Sequence, residues 1–277
     1  MKDKIARWTL LVIAFSAVLA LLLITFFIFQ QGVPLIFKAG LKNFFSTQWS
    51  PTHGKFGISS MIVGSLMVTF GALLIGVPLG LSCAIFLTEF SSKTLQRNLK
   101  PVIELLAGIP SVVYGFIGII VLVPFIREHI GGPGFSVLAS SIILGIMILP
   151  TIVSISYDSL LVVPGTYRAG SLALGATKWQ TVTMVLIPAA RSGIITSIIL
   201  GMGRAVGETM AVIMIAGNAL KIPHSILDPV RTITSTIALE LSYSVGDHRM
   251  ALFACGTILF IIIIILNIIA TKLTRRT

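Results

Sequence analysis

The sequence predicts an all-α membrane protein, a polytopic helix bundle with six transmembrane helices. Of its 277 residues, 56% are hydrophobic and 10% are charged, and the mean hydropathy is +1.03. A soluble chain with this balance would have too little polar surface to meet water. The apolar runs are about 20 residues long, which suits helices rather than barrel strands.

Six apolar segments carry this prediction, and we treat residues 1–277 as a single transmembrane domain. The first segment is longer than the hydrophobic part of a signal peptide, and no small-residue cleavage site follows it. We therefore expect it to be retained as a span. The predicted spans are residues 8–29, 61–87, 101–125, 137–157, 188–218 and 250–270, with a long loop at 158–187.

The net charge of +11 is explained by orientation in the membrane rather than by nucleic-acid binding. With the N-terminus in the cytoplasm, twelve of the 20 Lys and Arg residues lie in cytoplasmic segments and seven in outer ones. This bias places both termini inside. No block of five like charges occurs, so we expect no nucleic-acid partner.

Small residues and aromatic residues leave alternatives open. The repeats Gly76-x-x-x-Gly80 and Gly203-x-x-x-Gly207 are typical of close helix packing, with a role in a hinge or in the transport path as the alternative. Trp49 and Phe56 of the predicted outer loop are either interfacial anchors or part of a docking surface for an external partner. The sequence does not decide between these uses.

A charged pair lies inside the fifth predicted span. Arg204 and Glu208 are the only charges between Arg191 and Asn218, and their spacing of four predicts one helix face. Ionisable groups at bilayer depth usually face a bundle interior or an aqueous cavity and mark a transport path. Arginine offers a planar set of N–H donors to an anion. We predict a substrate pathway at Arg204, Glu208 and Thr209, with a purely structural ion pair as the alternative.

The role of Glu208 has two possible forms. Its carboxylate either holds the guanidinium in position and neutralises it, or repels an anionic substrate so that binding stays weak enough for release. The chain has no G-x-x-x-x-G-K-[ST] loop for ATP phosphates and no paired Cys/His metal pattern. We therefore expect no enzyme activity, no cofactor and no metal in this chain.

The loop at 158–187 predicts a helix, a glycine turn and a second helix. Thr166 is the expected N-cap, Gly175 the expected end of the first helix, and Trp179 begins an apolar helical pattern that runs to Pro188. A short helix of small residues can fit a groove on another protein. Lying on lipid headgroups is the alternative.

The same loop resembles the "EAA" loop of ABC importer permeases. Gly175 is followed after nine residues by Val185-Leu186-Ile187-Pro188, although Ala169-Gly170-Ser171 stands where that family has Glu-Ala-Ala. The resemblance implies the type I ABC importer permease fold and a loop helix that docks into an ATPase subunit. The docking residues that it implies are Tyr167, Arg168, Ala169, Gly170, Ser171, Leu174, Gly175, Ala176, Thr177 and Trp179.

Longer strings, from about Trp49 to the end, resemble the PstC-type permease subunits of phosphate importers. They are residues 108–115 (GIPSVVYG), 203–212 (GRAVGETMAV) and 237–240 (IALE). This resemblance implies import of inorganic phosphate by alternating access, beside a PstA-type permease, two PstB-type ATPases that bind ATP and Mg, and a PstS-type phosphate-binding protein. The implied location is the bacterial plasma (inner) membrane.

Two other classes of function remain as alternatives. One is a secondary anion transporter driven by an ion gradient, in which Glu208 carries a proton. The other is a membrane-embedded enzyme in which Arg204 binds a lipid phosphate, but the sequence offers no nucleophile or metal site for it.

Overall fold

The computed structural model describes residues 2–275, and it is almost entirely helical. Within these described residues, the sheet is a hairpin of β1 (Trp49–Ser50) and β2 (Lys55–Phe56). The helices are α1 (Lys2–Ala39), α2 (Leu41–Phe44), α3 (Ser59–Ile85), α4 (Lys93–Ala107), α5 (Ser111–Ile117), α6 (Val123–His129), α7 (Val137–Val162), α8 (Gly165–Ala173), α9 (Lys178–Thr181), α10 (Ile187–Ala189), α11 (Arg191–Gly207), α12 (Met210–Ile215), α13 (Ile233–Glu240) and α14 (Gly246–Arg275).

Wider π-helical turns extend or join several of these helices. They are Phe86–Phe90 after α3, Gly118–Leu122 between α5 and α6, and Val182–Leu186 between α9 and α10. Each π-helical turn adjoins an α-helix, so the helical segments continue across it as longer helices. Turns of this kind are frequent at functional sites in proteins.

Five helices among the described residues are long and apolar enough to cross a membrane. A sixth span results if Lys178–Ala189 and Arg191–Gly207, which meet at an angle of 73°, are counted together. This agrees with the predicted six-helix membrane class. The five spans are Ala6–Ala39, Ser59–Phe90, Ser111–His129, Val137–Val162 and Gly246–Lys272.

The third predicted span, residues 101–125, is divided in the structure. Helix α4 ends at Ala107, and a new helix begins at Ser111 after Pro110, which lacks an N–H for the ladder. The charges of α4 recur at helical spacing, from Lys93 through Lys100, so this helix is amphipathic and starts well before the span. The span itself runs from Ser111 to His129.

The described chain forms two compact units. One unit contains the part up to Ser59 together with Ile237–Ile261, and the other contains Ser60–Thr236 and the segment from Ile262 onward. In the first unit, Trp49 and Phe56 are buried, and Trp49 Nε1 donates to Glu240 Oε2 at 3.0 Å. These two aromatic side chains pack inside their unit, which corrects both the anchor and the docking interpretation.

Helix α7 is the centre of the second unit. Among the spans it has the largest buried share, and its Leu144, Ile148 and Ile152 belong to the main apolar core. A Cβ atom added to Gly76 or to Gly80 of α3 would lie 2.7 Å from Ile148 or Ile152. Glycine at these positions therefore permits the close helix packing that the repeat predicts.

Candidate substrate path and partner-docking surface

The helix that carries Arg204 ends sooner than the sequence predicts. Helix α11 stops at Gly207, Glu208 has an extended backbone (φ −67°, ψ 133°), and α12 starts at Met210. Glu208 Oε1 accepts the backbone N–H of Ala211 at 3.2 Å, and the Glu208 carbonyl accepts Thr234 Oγ1 at 3.0 Å. The expectation of one helix face for Arg204 and Glu208 is therefore wrong, because α11 ends at Gly207 and the Glu208 side chain bonds to the first turn of the next helix.

Arg204 lies in the last turn of α11 with a half-buried side chain. Within residues 2–275, its guanidinium has no carboxylate within 4.0 Å and no hydrogen-bond partner. A Cβ atom added to Gly203 or Gly207 would meet nothing within 4 Å, so this repeat does not mediate close packing inside the chain. The guanidinium is thus partly exposed and forms no ion pair with the described residues.

A group of hydroxyl side chains surrounds the break after α11. Ser65 Oγ accepts the backbone N–H of Ile233 at 3.0 Å, and Thr232 Oγ1 lies 2.7 Å from Ser235 Oγ. Ser65, Thr232, Thr234 and Glu208 line a cavity of about 10 Å³. A cavity of this size holds at most about one water molecule, so this group of hydroxyls does not enclose an anion site by itself. The sequence signal for this group of hydroxyls was the run Thr-Ile-Thr-Ser-Thr at 232–236.

Thr209, the third predicted pathway residue, belongs to the same break. Its side chain is half-buried, and Thr209 Oγ1 donates to the carbonyl of Gly207 at 3.2 Å. Arg204 precedes the break, and Glu208 and Thr209 form it. The described residues contain no group of three or more His, Cys, Asp or Glu side chains placed to hold a metal ion.

The loop between α7 and α11 forms a well-defined helical elbow. Helix α8 ends in a Schellman motif, in which Ala176 N donates to Ser171 O at 3.2 Å and Gly175 N to Leu172 O at 3.0 Å. Gly175 has a φ of +81°, a conformation that L side chains rarely adopt. The predicted order of helix, glycine turn and helix is confirmed.

The start of each loop helix differs slightly from the prediction. Helix α8 begins at Gly165 with Pro164 as its N-cap, so Thr166 is already inside the helix and is not the cap. Thr177 caps α9 through a capping box, since its hydroxyl accepts Gln180 N at 3.2 Å and Gln180 Oε1 accepts Thr177 N at 2.8 Å. The start of α9 is therefore fixed by side-chain hydrogen bonds, whereas the start of α8 has no side-chain cap.

Most of the predicted docking residues are on the outside of this elbow. Apolar side chains are exposed along it, and we name them the loop surface: Tyr167 (52%), Leu172 (51%), Leu174 (91%), Trp179 (62%) and Met184 (72%). Ala169, Gly170, Gly175 and Thr177 are also exposed, and Ala176 is half-buried. Sequence reasoning missed Leu172 and Met184, whose helical spacing from the named residues was the available signal.

Two of the predicted docking residues point inward. Ser171 Oγ lies 3.0 Å from Thr181 Oγ1, which joins α8 to α9. The Arg168 guanidinium lies 2.6 Å from Glu89, and it also donates to the backbone carbonyls of Leu160 and Val163 at 3.0 Å. The guanidinium of Arg168 is therefore bonded to groups within the chain.

These features define a mainly helical membrane protein with an exposed loop of two short helices. Residues 76–277 match the family model described as binding-protein-dependent transport system inner membrane component. The chain therefore belongs to this family of inner-membrane transport components. The permease is the non-catalytic part of such a system, and a separate ATPase subunit hydrolyses ATP.

Curated relatives and solved structures agree with this membership. The chain is 44% identical over 236 residues to the probable ABC transporter permease protein YqgH of Bacillus subtilis, covering 83% of this chain and 76% of the relative. It is 37% identical to the phosphate transport system permease protein PstC of Xylella fastidiosa, with 86% and 79% covered. A bacterial alginate ABC transporter superposes with a TM-score of 0.70 at 15% identity, with 99% and 96% covered, which supports the fold.

Proposed function

We propose that this chain is the permease subunit of an ATP-driven importer of inorganic phosphate that works by alternating access. The observation that supports phosphate as the substrate is the similarity to proteins named as phosphate transport permeases. Besides the Xylella relative, the probable PstC protein of Methanocaldococcus jannaschii is 32% identical over 285 residues, with 95% of this chain and 90% of the relative covered.

The proposed assembly contains a second, PstA-type permease, two PstB-type ATPases that bind ATP and Mg, and a PstS-type phosphate-binding protein outside. The plasma membrane with both termini in the cytoplasm is the proposed arrangement. It places the loop surface on the same side as the ATPases. The exposure of Trp179 and Leu174 supports a partner there, since large apolar side chains exposed together mark interaction sites.

The proposed substrate path contains Arg204, Glu208 and Thr209. An anion that leaves water needs compensation for lost hydration, and a permanently charged guanidinium supplies it through charge-assisted hydrogen bonds. The absence of an ion pair for Arg204 within the described residues supports this role. Glu208 contributes negative charge beside the path and fixes the backbone through its bond to Ala211 N.

The proposal of a secondary transporter driven by an ion gradient gains no support from the relatives, which are named as ABC or phosphate transport permeases. It predicts uptake by this chain alone under a proton gradient. The ATP-driven proposal predicts no uptake without the ATPase and the binding protein. The two proposals are therefore separable in vesicles.

The test is reconstitution of the full assembly in proteoliposomes with the binding protein and radiolabelled phosphate. We expect ATP-dependent uptake and ATP hydrolysis that rises when phosphate-loaded binding protein is added. Sulfate at equal concentration is the control for anion selectivity. Uptake driven by a proton gradient without ATP would contradict the proposal. So would a rate of ATP hydrolysis that does not change when the loaded binding protein is added.

A further inference from the structure

We propose that Arg168 is a positioning residue that links the loop helix α8 to the ends of two membrane helices, and that it does not contact the ATPase. This inference rests on the proposed function of the chain. In the family-like loop pattern, Arg168 stands beside the exposed residues that face a partner. Its side chain, however, points in the opposite direction, and its N–H groups donate to partners within the chain.

The first link joins α8 to the end of the α3 span. Arg168 Nη2 lies 2.6 Å from Glu89 Oε1, and Arg168 Nε lies 3.1 and 3.2 Å from the two Glu89 oxygens. The Glu89 side chain is 8% exposed and that of Arg168 is 26% exposed. An ion pair with this fork geometry and this burial restricts both side chains far more than a surface pair does.

The position of Glu89 depends on the π-helical turn Phe86–Phe90. The turn is closed by Ser91 N, which donates to Phe86 O at 2.9 Å. A π-helical turn contains more residues than an α-helical turn, so it changes the direction in which the following side chains point. This turn therefore directs the Glu89 carboxylate toward the loop helix.

The second link joins α8 to the end of the α7 span. Arg168 Nη2 donates to the Leu160 carbonyl, and Nη1 donates to the Val163 carbonyl, each at 3.0 Å. The carbonyls at the end of a helix have no partner within the helix, and a cation there also interacts favourably with the helix dipole. Arg168 thus caps α7, the most buried span of its unit.

Both links are made by the same planar group, the guanidinium of Arg168. A movement of α8 must either displace the ends of α3 and α7 with it or break several charge-assisted hydrogen bonds at once. Coupling between distant sites is carried by such hydrogen-bonded contacts between rigid elements. We therefore infer that Arg168 transmits the movement of the loop helix to the membrane spans, whereas Leu174 and its exposed neighbours hold the partner.

The test uses the double variant Arg168→Gln with Glu89→Gln in the reconstituted assembly. Both changes together are needed because Arg168→Gln alone leaves a buried, unpaired carboxylate. We expect the ATPase to co-purify and to hydrolyse ATP, while phosphate uptake per ATP falls by about 2- to 30-fold, the range of known coupling mutations. Leu174→Asp should instead lose the ATPase during purification.

The matched control is Lys100→Gln with Asp158→Asn, which removes an ion pair that also reaches α7 but is exposed. Uptake per ATP should not change in this control. The inference is wrong if the Arg168/Glu89 double variant keeps the wild-type ratio, or if the ATPase no longer co-purifies with it. Arg168→Lys, which cannot make all the bonds at once, should give an intermediate ratio.

A second measurement separates this inference from the proposed function. Amide hydrogen exchange in α8 of the purified assembly should become about 2- to 30-fold faster in the double variant and stay unchanged in the control. Unchanged exchange would overturn the link whatever the protein transports. Loss of all ATP-dependent phosphate uptake in the wild type would overturn the function but not the link.

Discussion

Two half-buried arginines of the same unit show opposite environments. Arg168 donates to a carboxylate and to two helix-end carbonyls, and all of these bonds are within the chain. Arg204, in the last turn of α11, makes no hydrogen bond or ion pair with the described residues. A satisfied guanidinium holds elements together, whereas a guanidinium without internal partners is available to an anion or to another subunit.

The largest expected effect comes from Arg204→Gln. Phosphate uptake in proteoliposomes should fall on the order of 100-fold, because hydrogen bonds to charged groups contribute about 1.5–3 kcal/mol each. Thermal unfolding in detergent should change little, since no hydrogen bond or ion pair with the described residues is removed. Arg191→Gln, at the exposed start of the same helix, is the control. Near-normal uptake by the Arg204 variant would remove the basis for the comparison.

Arg204→Lys sharpens the same comparison. We expect partial recovery of uptake relative to the glutamine variant, because an ammonium group still stabilises an anion, although it lacks the planar fork. Loss equal to that of Arg204→Gln would mean that the fork geometry, and not charge alone, is required. The assay is uptake at matched amounts of assembled complex.

The next effect concerns Glu208, whose two roles can be separated. Glu208→Gln keeps an oxygen that accepts the Ala211 N–H but removes the charge, so we expect uptake to fall about tenfold for a loss of about 1.4 kcal/mol. Glu208→Ala also removes the hydrogen bond to the Ala211 N–H and should lower the free energy of unfolding by about 1 kcal/mol more. Thermal unfolding and uptake, measured on both variants, distinguish the two effects. If Glu208→Gln keeps full uptake, Glu208 acts only through its hydrogen bond to the Ala211 N–H.

Apolar length and composition were sufficient to predict the membrane class and most spans. Glycine at 175 also predicted the end of the first loop helix, because its left-handed backbone is a local requirement. The break after Gly207 was missed, since Glu208 is a good helix former and no proline lies between Arg191 and Asn218. The Glu208 carbonyl accepts its hydrogen bond from Thr234, 26 residues later, so the break is accompanied by a tertiary contact that no local pattern predicts.

The direction of side chains was the part of the site that sequence could not provide. Arg168 and Leu174 are six residues apart in the same loop, yet one points into the chain and the other is 91% exposed. The partner of Arg168 is Glu89, which is 79 residues earlier in the chain. No local pattern predicts a pair at that separation, because it depends on how the spans pack.

The smallest expected effect tests whether burial or charge explains the contrast between Arg168 and Arg204. Lys100 Nζ lies 2.8 Å from Asp158 Oδ1, but the two side chains are 35% and 59% exposed. Lys100→Gln should therefore lower the free energy of unfolding by less than about 1 kcal/mol. The hydrogen bond to Asp158 raises the pKa of Lys100 above 10.5. The contribution of the pair is thus fully present below pH 10.5 and is lost as the pH rises through the folded-state pKa.

Thermal unfolding of wild type and Lys100→Gln at pH 7 and pH 9 should accordingly give the same small difference at both values. A large difference at pH 7 would mean that an exposed pair holds the chain as firmly as the Arg168 pair does. In that case, burial of Glu89 could not be the reason that Arg168 is structural, and the contrast with Arg204 would need another explanation. A small, pH-independent difference leaves burial and bond number as the properties that separate the two arginines.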